Sequence, residues 1–155
     1  MEWDYEFDVV VVGSGNGALT AALCSHDGGA KTLVIEKSSQ FGGTSATSGG
    51  GVWIPNNRYA KAENVDDSDQ DARNYINSVS PEGMIKDELI ETYISEGPRM
   101  IDYLHENSQV KYRNLAHYPD YFPDNTGGKE GNRSMEPEPI FGTELGDDLG
   151  KLREQ

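Results

Sequence analysis

Gly13, Gly15 and Gly17 fall at alternate positions in Gly13-Ser14-Gly15-Asn16-Gly17-Ala18, and an acid, Glu36, follows further along. Those residue types at that spacing suit one task, the grip of a dinucleotide. Gly13 permits a tight turn, Gly15 lets the backbone approach a pyrophosphate, and Gly17 with Ala18 lets a following helix close on its strand. The N-terminus of that helix, where Asn16 stands, offers unpaired N–H groups and a partial positive charge to a diphosphate. Glu36 lies about 20 residues beyond the glycines, where a carboxylate accepts hydrogen bonds from both hydroxyls of an adenosine ribose. A 2′-phosphate would meet a like charge there, which argues against NADP.

A second cluster narrows the ligand. Lys37-Ser38-Ser39-Gln40-Phe41 leads into Gly42-Gly43-Thr44-Ser45-Ala46-Thr47-Ser48-Gly49-Gly50-Gly51 and ends on Val52-Trp53-Ile54-Pro55. A nicotinamide has no need of such a loop after the second strand, whereas a flat isoalloxazine lies against backbone that glycine leaves open. Thr44, Ser45 and Ser48 can donate hydrogen bonds to phosphates or flavin heteroatoms without bulk. The cofactor expected is FAD.

With Glu36-Lys37, Phe41-Gly42-Gly43-Thr44-Ser45-Ala46 and Ser48-Gly49-Gly50-Gly51-Val52-Trp53-Ile54-Pro55, the chain resembles the flavoprotein superfamily of fumarate reductase and succinate dehydrogenase. Within it, the Trp-Ile-Pro ending and Pro119-Asp120-Tyr121 look most like the 3-ketosteroid Δ1-dehydrogenases. Gly131-Asn132-Arg133-Ser134 matches that family's Gly-Arg-Ser loosely, because Asn132 intervenes. The resemblance implies FAD contacts at Gly13 to Ala18, at Glu36, Lys37 and Ser38, at Gly42 to Ser45, and at Ser48, Gly49 and Gly50. It implies a small-molecule substrate, a 3-ketosteroid, that loses a proton α to its ketone to a tyrosine base and the neighbouring hydride to flavin N5. Tyr121 would face the substrate and support that second tyrosine. Family members run several hundred residues further, so the expectation is an N-terminal portion, inactive alone. Alternatives are a fumarate-reductase-like or Δ4-(5α)-steroid dehydrogenase, or a non-catalytic FAD- or ADP-binding product.

The elements that must position these residues read as an α/β fold. Val9 to Val12 is an apolar β-branched run suited to a buried parallel strand, and Lys31 to Glu36 supplies the second. Ala18 to Leu23 favours a helix from about Asn16 to Cys24, stopped by Gly28-Gly29. Together they form a Rossmann-like FAD-binding βαβ unit with following helices, incomplete relative to the full family fold. Residues 1–55 would hold the βαβ unit and flavin loop, 56–114 would be mainly helical, and 115–155 an irregular substrate-facing loop and the start of a helix. Residues 56–70 read as a loop. A helix capped by Asp67 or Ser68 would run to about Val79, another from Ile85 to Glu96, and a third from Pro98 to Glu106, with Gly97-Pro98 as the break. Val110 to Arg113 is a candidate strand. No periodicity marks 115–138.

Composition excludes some partners. The net charge is −14, and six acids against three bases before residue 61 leave −11 to the remainder. That argues against nucleic acid and anionic membranes. The acidic start and the lack of a long apolar run predict a cytoplasmic protein with no membrane span. Cys24 is the single cysteine, and His26, His105 and His117 show no ligand spacing, so neither a disulfide nor a metal site is expected.

Overall fold

A computed structural model describes residues 3–154. The chain divides into two compact units, one from residues up to 50 together with those from 139 onward, the other from residues 51–138.

In the first unit, β1 (Val9–Val12) and β2 (Thr32–Ile35) pair in parallel with Val9 opposite Thr32 and Val12 opposite Ile35. The helix α1 (Asn16–Asp27) connects them, a right-length crossover for a βαβ unit. It ends where Gly28 and Gly29 donate back to Cys24 and His26, Gly29 with a positive φ of 88°. A 3-10 turn at Gly43–Thr47 follows β2. A longer 3-10 stretch, Gly142–Lys151, is kinked at Gly146. At its end, Phe41 donates to Lys151 and accepts from Arg153, so residues 151–153 lie beside the start of the second glycine loop. The helix expected at the end of the chain is therefore a broken 3-10 turn.

The second unit has its own core. A three-stranded antiparallel sheet runs in the order β3 (Val52–Trp53), β5 (Ser134–Pro137), β4 (Tyr112–Asn114). Ile54, Ile101, Tyr112 and Met135 pack together, with Ile101 and Met135 wholly buried. The short helix α2 (Arg58–Ala62) occupies part of the stretch expected as a loop. Asn57 caps it, accepting from Tyr59 and Ala60 while donating to the carbonyls of Ile54 and Asn132. Ser68 caps α3 (Asp69–Val79) as expected, by accepting from Asp71. Ala72 of α3 forms a second cluster with Ile90 and Ile94 of α4 (Asp87–Asn107).

One expectation is corrected here: α4 runs through Gly97-Pro98 without a break. Proline removes one hydrogen bond from a helix interior. Buried residues on both sides, Ile94 and Ile101, hold the two halves in line, and Gly97 admits Ile54, whose Cδ1 would lie 3.3 Å from an added Cβ. The strand expected at Val110 to Arg113 is displaced to β4, and β5 falls in the stretch that shows no periodicity. Among the described residues, no helix is long and apolar enough to cross a membrane.

Candidate functional site

The first unit brings most of the predicted cofactor residues to one place, and Ser14 is the reason. This serine is 3% exposed. Its hydroxyl donates to Glu36 Oε2 at 2.5 Å and accepts from the Gly42 N–H at 2.9 Å. One side chain thus joins the turn after β1, the acid after β2 and the second glycine loop. Glu36 Oε1 also accepts from the Ser38 N–H at 3.0 Å. The Ser14 hydroxyl first, and that N–H second, hold the Glu36 carboxyl below the usual glutamate range. It stays an ionised acceptor with lone pairs to spare.

The glycines leave room where a diphosphate would sit. An added Cβ at Gly13 or Gly17 would meet nothing within 4 Å, and Gly13 has a φ of 99° that only glycine adopts freely. Gly15, the residue before α1, supplies no side chain to cap it, and no acid stands in the first turn. The Asn16 N–H donates to Ser45 Oγ at 3.0 Å, which sets the helix start against the second loop. There, Gly43 approaches Gly15 so closely that a Cβ would lie 3.4 Å from the Gly15 Cα. Gly42 has a φ of 105°, and a Cβ would lie 2.6 Å from that of Ala46. The open turn, the uncapped helix and the ionised acid fit an ADP-containing cofactor.

Other predicted residues are less committed. Ala18 lies within α1, and Lys37 is exposed beyond Glu36. The Thr44 carbonyl accepts from the Thr47 hydroxyl, and the Gly50 N–H donates to Ser48 Oγ across Gly49.

Tyr121 stands in the second unit, 84% exposed, on a loop that is anything but loose. Its neighbour Asp120 is 4% exposed and fully engaged. Oδ1 accepts from Trp53 Nε1 at 2.7 Å, while Oδ2 accepts from Arg133 Nη1 at 2.9 Å and the Lys129 N–H at 3.0 Å. Arg133, 1% exposed, also forks onto Asp67, with Nη2 to Oδ1 at 2.7 Å and Nε to Oδ2 at 3.1 Å. Its guanidinium lies 5.4 Å from the Trp53 ring centroid and 5.7 Å from that of Tyr75. Sequence reasoning singles out Tyr121 and passes over Asp120 and Arg133, although both lie within the motifs it quotes. The inserted Asn132 takes a φ of 72°, a left-handed conformation asparagine tolerates.

Known proteins resemble this chain in sequence and in fold. The FAD binding domain family matches residues 8–153. The 3-oxosteroid 1-dehydrogenase of Mycolicibacterium smegmatis is 42% identical over 147 residues, covering 95% of this chain and 26% of that protein. The 4-oxocyclohexanecarboxylate 2-dehydrogenase of Sinomonas cyclohexanicum is 40% identical over 132 residues, covering 85% and 23%. The crystal structure of 3-ketosteroid Δ1-dehydrogenase from Sterolibacterium denitrificans, in complex with 1,4-androstadiene-3,17-dione, superposes with a TM-score of 0.89 at 40% identity, covering 96% of this chain and 26% of that one. The chain thus spans about a quarter of the length of the relatives it matches.

Proposed function

The chain belongs to the FAD-binding domain family, and on that premise we propose that it is the N-terminal, FAD-binding portion of a cytoplasmic flavoenzyme that dehydrogenates 3-ketosteroids at C1–C2. The observation that supports the cofactor is the Ser14 junction, which joins the turn after β1 to an ionised Glu36 and to Gly42 of the second glycine loop. Glu36 accepts from the ribose hydroxyls, and the start of α1 takes the diphosphate. The backbone from Gly42 to Ser45, with Ser48, Gly49 and Gly50, would line the flat ring, Gly49 with nothing within 4 Å of an added Cβ. FAD, when bound, supplies a hydride acceptor at N5. Tyr121 faces the ketosteroid and supports a tyrosine base supplied by the remainder of the enzyme. The chain alone binds cofactor without turnover.

Titrating the chain with FAD against NAD, followed by flavin fluorescence, tests the cofactor assignment; equal or absent affinity for both removes it. Glu36→Ala should weaken FAD binding roughly ten-fold or more, since charge-assisted bonds to the ribose are lost. Within an enzyme of the family's full length, Tyr121→Phe should slow turnover of a 3-ketosteroid and leave flavin content intact. Turnover of 4-oxocyclohexanecarboxylate without turnover of any ketosteroid would move the substrate to monocyclic ketones.

A further inference from the structure

Tyr121 combines a nearly free side chain with a tightly held backbone. On its N-terminal side, the Asp120 N–H donates to the Lys129 carbonyl at 2.9 Å while the Asp120 carboxylate receives Trp53, Lys129 and Arg133. On its C-terminal side, the Phe122 N–H donates to the Tyr75 hydroxyl at 3.2 Å. The return of the loop is seated against backbone. An added Cβ at Gly127 would lie 2.2 Å from the Asp71 carbonyl oxygen of α3, and one at Gly131 would lie 2.0 Å from that of Ala116. Lys129 Nζ pairs with Asp71 at 3.0 Å.

A buried cluster of one arginine and two aspartates is an expensive way to stabilise a fold. Apolar groups of the same volume often do as well, so its best-attested use is to fix one geometry among several. Arg133 has two separable links here. The fork to Asp67 ties it to the segment before α3, and the single bond from Nη1 to Asp120 reaches the residue that precedes Tyr121.

We propose that Arg133, acting through Asp120 and helped by Trp53, is a positioning residue that fixes the direction in which Tyr121 is presented. The proposal rests on the reading of Tyr121 as substrate-facing. A misplacement of about 1 Å at such a residue lowers turnover by up to roughly a hundred-fold without changing the groups that touch substrate.

Three substitutions separate this role from plain stability. Asp120→Asn and Trp53→Phe each weaken the link to Tyr121, whereas Asp67→Asn weakens the fork on the other side together with the bonds Asp67 accepts from the Asn56 and Ser68 N–H groups. The first readout is native-state cleavage by chymotrypsin at the Tyr121–Phe122 bond, measured on the 155-residue chain. Asp120→Asn and Trp53→Phe should speed cleavage about ten-fold or more through local opening, and Asp67→Asn by less than about three-fold. Trp53→Phe leaves all three charges in place and decides the matter if Asp120→Asn does not fold. The second readout is turnover of a 3-ketosteroid by an enzyme of full family length. Asp120→Asn should lower kcat about ten-fold with KM within about two-fold and flavin content unchanged.

Cleavage that rises equally in all three variants, in step with lost stability, or that rises in none, overturns the positioning role. If Tyr121→Phe turns over normally while the cleavage pattern holds, the substrate reading falls and the clamp stands.

Discussion

Residues 51–138 bury Ala72, Ile101 and Met135 completely, whereas α1 buries no residue at all and Val10 and Val12 of β1 stand 51% and 78% exposed. The nucleotide motif therefore sits in the unit with less core. What organises that unit is polar: the Ser14 junction, the Asn16–Ser45 bond, and the pairing of Phe41 with Lys151 and Arg153. On the proposed reading, the cofactor would add to the stability of this unit. Ligand at about a hundred times its Kd adds about 2.7 kcal/mol to the state that binds it. The second unit needs no such supplement for Ile54, Ile101 and Met135 to stay dry.

The contrast breaks most readily at Arg133. Arg133→Met leaves Asp67 and Asp120 buried without their cation, and should cost about 3–5 kcal/mol, read as a lower urea midpoint. A loss near zero would mean that the aspartates find other partners and that the second unit is held by its apolar clusters alone. A pair of truncations sharpens the comparison next. Ile101→Ala should cost about 2–5 kcal/mol, and Val10→Ala less than about 0.5 kcal/mol, in matched chemical unfolding. Equal costs would show that β1 is covered in solution.

Ser14→Ala should cost about 1–3 kcal/mol for the unpaired Gly42 N–H, less than the loss of Arg133. Its fuller signature is a pH dependence. Glu36 has a folded pKa below its unfolded one, so its contribution is complete above the usual glutamate value and fades as pH falls through the depressed one. Removing the Ser14 hydroxyl removes the largest cause of that depression. FAD affinity should then begin to fall at higher pH on acidification between about pH 6 and pH 4. An unshifted acid limb in Ser14→Ala would detach Glu36 from the binding site.

The same two units differ in how far their sequence could be read. The βαβ unit is legible because its signals are local: a four-valine run, glycines two apart, alanines and leucines in the helix. Its mixed α/β class and FAD-family membership follow from those few residues. The second unit is set by distant partners. Asp120 and Arg133 each reach back 66 or 67 positions, to Trp53 and Asp67 respectively, and no window of sequence contains both ends. β5 carries Ser134-Met135-Glu136-Pro137, without a β-branched residue, and exists because β3 and β4 flank it. Gly97-Pro98 reads as a break, because local preference is blind to Ile54 filling the space that Gly97 leaves.

The stacking of Trp53 has a use of its own. Its ring packs against Tyr75, with centroids 5.8 Å apart, and Tyr93, at 6.2 Å, while Trp3, the other tryptophan, is 79% exposed in the first unit. An indole already in water has no redder emission to reach. One packed among rings and a guanidinium does. The two chromophores therefore divide the emission spectrum between the units, and a red shift on denaturation reports the opening of residues 51–138 without any added dye.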